Sequence, residues 1–260
     1  MSGSRIHPTA IVDLKAELGR EVEIGPYAVV GPDVLIGDGT VLMAHAVVER
    51  WTRLGRGCRV HPFATLGGAP QDLKYNGEET WLEVGDETVV REAVTLNRGT
   101  AGGLGKTVVG RRCLLMAYSH VAHDCVVGDQ VILANSATLA GHVTIEEQVI
   151  VGGLTAIQQF LRIGAHAFVG GASGLNQDVP PYMLVSGVPA ALHGLNLIGL
   201  KRRGFSEETI RALKRAHQTI FRSGLTQAKA LEQVRAEDGE VPEVRRLIEF
   251  VEAAKNGVCR

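Results

Sequence analysis

One spacing governs this chain. From Ile6 an aliphatic residue recurs every six positions, through Val12, Leu18, Ile24, Val30, Ile36, Leu42, Val48, Leu54 and Val60 to Leu66. The phase returns at Val84, Val90 and Leu96, then shifts by one residue across a short insertion. It runs on from Val109 through Leu115, Val121, Val127, Leu133, Leu139, Ile145, Val151, Ile157, Ile163 and Val169 to Leu175. Roughly 45–50% of residues in an ordinary chain are apolar and fewer are aliphatic, so twenty-six such positions filled without a miss exclude chance. A six-residue period drifts around the face of an α-helix, whereas three hexads of extended chain close one triangular coil. Coils of this kind stack at the spacing of hydrogen-bonded strands, about 4.8 Å. The period therefore predicts a prism of short parallel strands.

Glycine often follows the aliphatic residue, and the fourth residue after it is usually small. Both suit a prism in which one large side chain per face fills the interior and small neighbours let the chain turn. The composition agrees: 32 glycines and only 5% aromatic residues call for an aliphatic core. Cys58, Cys113 and Cys125 occupy the small position, and with Cys259 they form no CxxC pair, so all four read as reduced thiols. Two segments interrupt the repeat, 67–83 and 101–107. The first is long, polar and glycine-rich, which fits the wall of a ligand groove or a plain surface excursion.

Pro180-Pro181 closes the repeat, and a connector runs on through Gly204. A helical unit follows over about 205–257. Ser206 can cap a first helix with Ile210, Leu213, His217, Ile220 and Phe221 on one face. Thr226 can start a second with Ala228, Leu231 and Val234 inward, and Pro242 suits the first turn of a third using Val244, Leu247, Ile248 and Val251. Lys201, Arg202, Arg203, Arg211, Lys214 and Arg215 concentrate positive charge here, as a solvated helical face or as a dock for phosphate or an acidic protein.

A net charge of −1 gives no overall pull toward nucleic acid or an anionic membrane. The opening MSGSRIHPTAIV lacks the features of a secretory signal, and no segment reaches the roughly 18 apolar residues that span a bilayer, so the expectation is a cytoplasmic chain with no transmembrane segment. GGLGKT at 102–107 imitates a phosphate loop, but Thr100 stands where the first glycine belongs and Val108-Val109 resumes the hexad instead of opening a helix.

The strongest local chemistry is Ser119-His120-Val121-Ala122-His123-Asp124. Val121 holds the interior position, so His123 turns outward with a carboxylate beside it, and an imidazole with a pKa near 6.5 can accept a proton near neutrality. His142, one coil on, can approach the same groove. A base at His123 and a zinc site at His120, His123 and His142 are both compatible with these residues.

The prism resembles the left-handed parallel β-helix of hexapeptide-repeat acyltransferases, and the hand comes from that resemblance. It becomes close at QDLKY (71–75), NRGT (97–100), SHVAHDC (119–125), ATLAGHV (137–143), AIQQF (156–160), GGASGLNQDVPPY (170–182) and GLKRRGFS (199–206). In that order and spacing, together with the helical tail, these resemble the UDP-N-acetylglucosamine O-acyltransferase family of lipid A biosynthesis across nearly the entire chain.

The resemblance implies a β-helix domain over 1–190 and a connector with a C-terminal helical domain over 191–260. It implies that His123 removes the proton of the sugar 3-hydroxyl as that oxygen attacks the thioester of a 3-hydroxyacyl-acyl carrier protein. Asp124 would tune His123, and the Gly141 N–H would stabilise the oxyanion. Asp72 and Lys74 on the projecting loop, with His120, His142 and Gln159, would line the cleft; Asn196, Arg202 and Arg203 would meet the nucleotide. Gly171 would set acyl-chain length, with Phe168 nearby able to shorten the slot. Arg202, Arg203, Lys214 and Arg215 would receive acyl carrier protein. A homotrimer is implied, with no metal and no cofactor beyond the phosphopantetheine carried by the donor.

Three residues depart from the family pattern: Asn97 and Pro189 stand where a histidine is expected, and Ile198 where an acidic residue is expected. They bear on substrate contacts, including the choice between a sugar 3-hydroxyl and a 3-amino acceptor. An N-acyltransferase on a 3-amino nucleotide sugar, a metal-dependent hexapeptide carbonic anhydrase and a noncatalytic hexapeptide assembly are the alternative readings.

Overall fold

A computed structural model describes residues 3–260; Met1 and Ser2 lie outside the described residues. The repeat folds as a left-handed β-helix whose three faces, among the described residues, are sheets of eleven, nine and eight strands, parallel throughout except for the last strand of the first. Each hexad contributes one short strand, and each strand pairs with the third one on. Away from insertions the register offset is one coil, as in Ile6↔Ile24, Leu115↔Leu133 and Leu139↔Ile157. The aliphatic residues stack inside, with Leu66, Leu96, Leu133 and Leu139 wholly buried. From Leu18 on, the fourth residue after each is buried too, including Cys58, Cys113 and Cys125. All four cysteines are free, and burial pushes the Cys113 and Cys259 thiols up to about 11 and Cys125 to about 12.

The corners are built differently from the expectation that small residues make the turn. The third residue after most of the aliphatic ones adopts positive φ, and it is usually not glycine: Tyr27, His45, Asp124, His142 and Phe160 have φ of 57°, 60°, 58°, 62° and 65°. That conformation costs an L-residue about 1–2 kcal/mol. It is offset because the corner amide donates to the coil before it, as in His142 N–H to His123 O at 3.0 Å and Phe160 N–H to Gly141 O at 3.1 Å. Glycine directly after the aliphatic residue serves close approach instead. A Cβ on Gly37 would lie 2.6 Å from the Gly55 carbonyl carbon of the next coil.

The first interruption is shorter than the sequence suggested, and the second starts earlier and is one residue longer. Strands Thr65–Gly68 and Trp81–Val84 leave 69–80 as the projecting loop, and Thr95–Asn97 and Lys106–Val109 leave 98–105 as the second. The connector also carries sheet: Met183–Ser186 extends the eleven-stranded face in parallel, and Ala191–Leu195 folds back antiparallel beside it.

Four helices follow, α1 (Leu197–Arg202), α2 (Glu207–Arg222), α3 (Gln227–Asp238) and α4 (Pro242–Glu252). Ser206 caps α2 by accepting from Thr209 N–H, and Pro242 opens α4. On α3 the inward residues are Ala230, Leu231 and Val234; Ala228, expected inward, is exposed because it lies in the first turn, on the outer side.

Along one edge the second residue after each aliphatic position reads Arg20, Asp38, Arg56, Asp86, Arg111, Asp129, Glu147. In each Arg–Asp pair the carboxylate accepts the arginine's backbone N–H: Asp38 from Arg20 at 2.8 Å, Asp86 from Arg56 at 2.7 Å and Asp129 from Arg111 at 3.0 Å. Glu147 finds no arginine in the following coil. Its partner is Arg246 of α4, which donates to Glu147 at 3.0 Å and to Glu146 at 2.7 Å. This joins the helical unit to the prism.

Leu133→Ala should lose about 2–5 kcal/mol of stability through the cavity it leaves. Gly37→Ala should lose about 1–3 kcal/mol because backbone must move to admit one methyl. Denaturant unfolding checks both; an unaffected Gly37→Ala would show that the coils can separate there.

Candidate active site

Val121 fixes the local frame: Ala122 leaves the strand, His123 occupies the second position of the corner and Asp124 the third. Asp124 is buried, and its carboxylate accepts four hydrogen bonds, from Thr100 N–H at 3.0 Å, Thr100 Oγ1 at 2.6 Å, Leu104 N–H at 2.8 Å and His123 Nδ1 at 2.8 Å. Burial pushes its pKa up, but the hydrogen bonds from Thr100, His123 and Leu104 outweigh it and hold the carboxyl below its ordinary value. The glycine loop that imitated a phosphate site thus cradles an anion after all, one belonging to the chain itself. A Cβ on Gly103 would sit 2.4 Å from the Asp124 Cγ, so this approach requires glycine.

An ionised carboxylate only accepts, so His123 Nδ1 carries the proton and Nε2 keeps its lone pair. The ring lies against Gly141, where a Cβ would come within 2.8 Å of Nε2. No group among the described residues accepts a hydrogen bond from the Gly141 N–H. His142, at the next corner, stands edge-on to His123 with ring centroids 5.1 Å apart and stacks on Phe160 at 4.5 Å.

His120 sits apart, on the strand, with Nδ1 2.7 Å from Thr95 Oγ1, and burial lowers its pKa. The group able to hold a metal is therefore His123, Asp124 and His142, which corrects the His120, His123, His142 set. A carboxylate offers about four acceptor sites, and those of Asp124 are taken by the chain's own donors, so the trio fits a metal poorly.

The projecting loop faces this corner. Asp72, Lys74, Tyr75, Glu78, Thr100 and His142 are among the residues around a cleft of about 200 Å³. Asn97 holds the loop's base, donating to Ala69 O at 3.1 Å. Gln159 is exposed at the corner after His142. On the outer face of the nine-stranded sheet, small residues leave a groove of about 570 Å³ running from Thr138 and Ala140, beside Gly141, to Gly174 and Pro189.

Gly171 lies exposed at a corner, where a Cβ would come 3.3 Å from Gly153 O. Phe168 belongs elsewhere: it lines a separate cavity of about 410 Å³ with Ile150, Asn196, Ile198, Arg202 and Arg203. There the Asn196 side chain caps α1 and donates to His166 O at 3.0 Å, Arg203 donates to Gln148 O at 2.6 Å, and Arg202 is exposed. On α2, Lys214 is exposed, whereas Arg215 pairs with Asp238, Nε to Oδ2 at 2.9 Å. The groups that sequence reasoning did not single out are Thr100, Gly103, Leu104 and Phe160. The glycine-rich 102–105 segment was the available signal for the first three.

A family model described as UDP N-acetylglucosamine O-acyltransferase, domain 2, matches residues 178–259, and the bacterial transferase hexapeptide model matches 15–50, 33–68 and 106–141. An acyl-(acyl-carrier-protein) UDP-N-acetylglucosamine O-acyltransferase of Thermodesulfovibrio yellowstonii is 50% identical over 99% of this chain and 100% of its own length. The chain belongs to the UDP-N-acetylglucosamine O-acyltransferase family. A Syntrophobacter fumaroxidans relative of the same name is 51% identical, covering 98% of this chain and 100% of its own. Among solved structures, the family member LpxA of Acinetobacter baumannii superposes with a TM-score of 0.95 at 46% identity, covering 98% of this chain and 99% of that one. Membership makes the chain an acyltransferase with a hexapeptide-repeat scaffold.

Thr100→Val removes the shortest of the Asp124 hydrogen bonds and should cost about 1–3 kcal/mol at pH 7. Asp124 has a depressed pKa, so its contribution is complete above the unfolded value of about 3.9 and is lost as pH falls through the folded one. The gap between wild type and variant in unfolding should therefore begin to close as pH falls below about 4 and vanish past the folded-state value; a gap that does not shrink at all on acidification would assign the loss to packing alone.

Proposed function

We propose that this chain transfers a 3-hydroxyacyl group from acyl carrier protein to the 3-hydroxyl of UDP-N-acetylglucosamine, the first step of lipid A biosynthesis, in the cytoplasm. The observation that carries the mechanism is the pairing of a free His123 Nε2 with an unengaged Gly141 N–H in adjoining coils. Nε2 accepts the proton of the sugar hydroxyl while that oxygen attacks the thioester carbonyl. Asp124, buried and ionised, stabilises the imidazolium that forms. The carbonyl oxygen becomes an oxyanion at the Gly141 N–H. Collapse expels the phosphopantetheine thiolate, which recovers the proton from His123, and no acyl-enzyme forms.

The fold itself supports the oxyanion role. The backbone position of Gly141, second after its aliphatic residue, is the one at which Arg20, Arg56 and Arg111 donate to carboxylate oxygens at 2.7–3.0 Å. A negative oxygen is thus a favourable partner for this amide. Asp72, Lys74, His120, His142 and Gln159 take the sugar and donor, and Asn196, Arg202 and Arg203 the nucleotide, with Ile198 giving that cavity an apolar wall. The similarity to O-acyltransferases favours oxygen over nitrogen as the acceptor atom. The chemistry needs no metal and no cofactor of the enzyme's own.

The acyl chain follows the small-residue groove toward Pro189, and Gly171 limits its length; Phe168 acts on the nucleotide side. In this reading residues 1–190 do the chemistry, and 191–260 receive acyl carrier protein at Arg202 and Lys214. Arg203 and Arg215, each already partnered within the chain, keep that surface in shape. A homotrimer encloses the groove, which one prism leaves open.

Purified chain with UDP-N-acetylglucosamine and a panel of acyl-carrier thioesters should yield a 3-O-acylated nucleotide sugar by mass analysis, unaffected by chelators. No acylated product across the panel would sink the proposal, and a chelator-sensitive hydration of carbon dioxide would favour the metal reading. His123→Ala should keep the fold and lose at least about 10²-fold in turnover. Gly171→Met, which only the Gly153 carbonyl crowds, should shift donor preference to shorter chains; an unmoved preference removes the ruler role.

A further inference from the structure

The projecting loop and the His123–Asp124 pair are held by one tetrapeptide, Asn97-Arg98-Gly99-Thr100, at the end of strand Thr95–Asn97. Thr100 holds Asp124, as described. Arg98 faces the other way and is only 4% exposed. Its guanidinium donates to Gly67 O at the loop's root and to Tyr75 Oη at 3.1 Å within the loop, and its backbone N–H donates to Gly68 O at 2.9 Å. It also lies 5.8 Å from the Tyr75 ring centroid, 5.3 Å from that of Trp51, and 3.6 Å from the Glu49 carboxylate. Tyr75 is the keystone of the loop's internal folding. Its N–H donates to Asp72 O at 3.0 Å and its hydroxyl to Glu78 O at 2.7 Å, while Asp72 Oδ1 accepts from Lys74 N–H at 3.0 Å. Between the two anchors stands Gly99, whose N–H donates to Trp81 O at 3.2 Å and which packs so close to Lys106 that a Cβ would lie 2.2 Å from its nitrogen.

We propose that Arg98 is a positioning residue that fixes the substrate loop carrying Asp72 and Lys74 at a set distance from the His123–Asp124 pair. This rests on the acyltransfer reading above. Arg98 touches neither reacting group; it acts through Tyr75 and the loop root. The work needs a planar fork with donors in two directions, which lysine lacks.

The two ends of the tetrapeptide should separate in kinetics. Arg98→Met leaves Glu49, itself 44% exposed in its side chain, to water. It should raise KM for UDP-N-acetylglucosamine by about tenfold to a hundredfold, hold kcat within about threefold and leave the pH profile in place. Arg98→Lys should recover only part of that KM. Thr100→Val should do the reverse, lowering kcat and moving the acid limb with little change in KM. Trypsin cleavage after Lys74 should quicken in Arg98→Met and not in Thr100→Val, a readout independent of turnover. Tyr75→Phe, which removes only the hydroxyl, should give a smaller KM rise in the same direction and serves should Arg98→Met not fold. An Arg98→Met enzyme with wild-type KM and wild-type cleavage at Lys74, or a Tyr75→Phe enzyme unchanged in both, overturns the inference. Wild-type chain with no acyltransfer at all would overturn the reading beneath it, while the cleavage rates would still decide whether Arg98 anchors the loop.

Discussion

The backbone register between coils is the constraint on which the rest depends. Each strand donates to and accepts from the strand one coil away, and each interior aliphatic residue rests on its counterpart, as Val121 does on Leu139. Shifting one strand by a residue would turn an interior row outward. The register also brings the second and third corner residues of successive coils together, so His123 with Asp124 and Gly141 with His142 meet without any loop having to be ordered for the purpose. The stack fixes where these residues meet, and Thr100 and Leu104 of the second insertion then fix the Asp124 carboxylate.

The stack also explains what could be read in advance. The interior must be filled once per face, so the hexads at Ile6 through Leu175 are visible in the sequence. Ser206 and Pro242 announced helix starts because a cap and a first-turn proline act locally. His123 and Asp124 are legible as neighbours, but the donors that hold Asp124 come from Thr100 and Leu104, 24 and 20 residues away across an insertion whose path no period dictates. Phe168 and Gly171 are three residues apart, yet one lies on a strand and lines the cavity beside Asn196, while the other is exposed on a corner away from it. The pairing of Arg215 with Asp238 needs two helices to be placed first. His120 falls outside the metal-capable trio for a related reason, since its strand position takes it to Thr95.

The edge carrying Arg20 through Glu147 shows how the helical unit is attached. Arginine and aspartate alternate until Asp129 and Glu147 follow one another, leaving the last carboxylate without a partner from the coil beyond. Arg246 of α4 completes the row. Burial and the nearby Arg203 and Arg246 charges push His166 down to about 4, so its ring is neutral at physiological pH and packs between Tyr182 and Phe205 as an apolar plate. The wall that carries Asn196 and Arg203 is thereby seated on a charged edge and an aromatic corner of the prism together.

The second amide of each corner has a consequence for how such scaffolds acquire activity. A helix gathers its spare N–H groups at one end, whereas this prism can present one at the second residue of any corner not held by a proline, as the corners at Pro8, Pro26, Pro32 and Pro62 are. Where an aspartate sits one coil on, the amide is occupied and the rung is purely structural; at Gly141 nothing answers it. A site for a nascent oxyanion can therefore arise by subtraction: leave one rung of a ladder empty, keep its position a glycine so that nothing shields it, and set a base on the coil beneath.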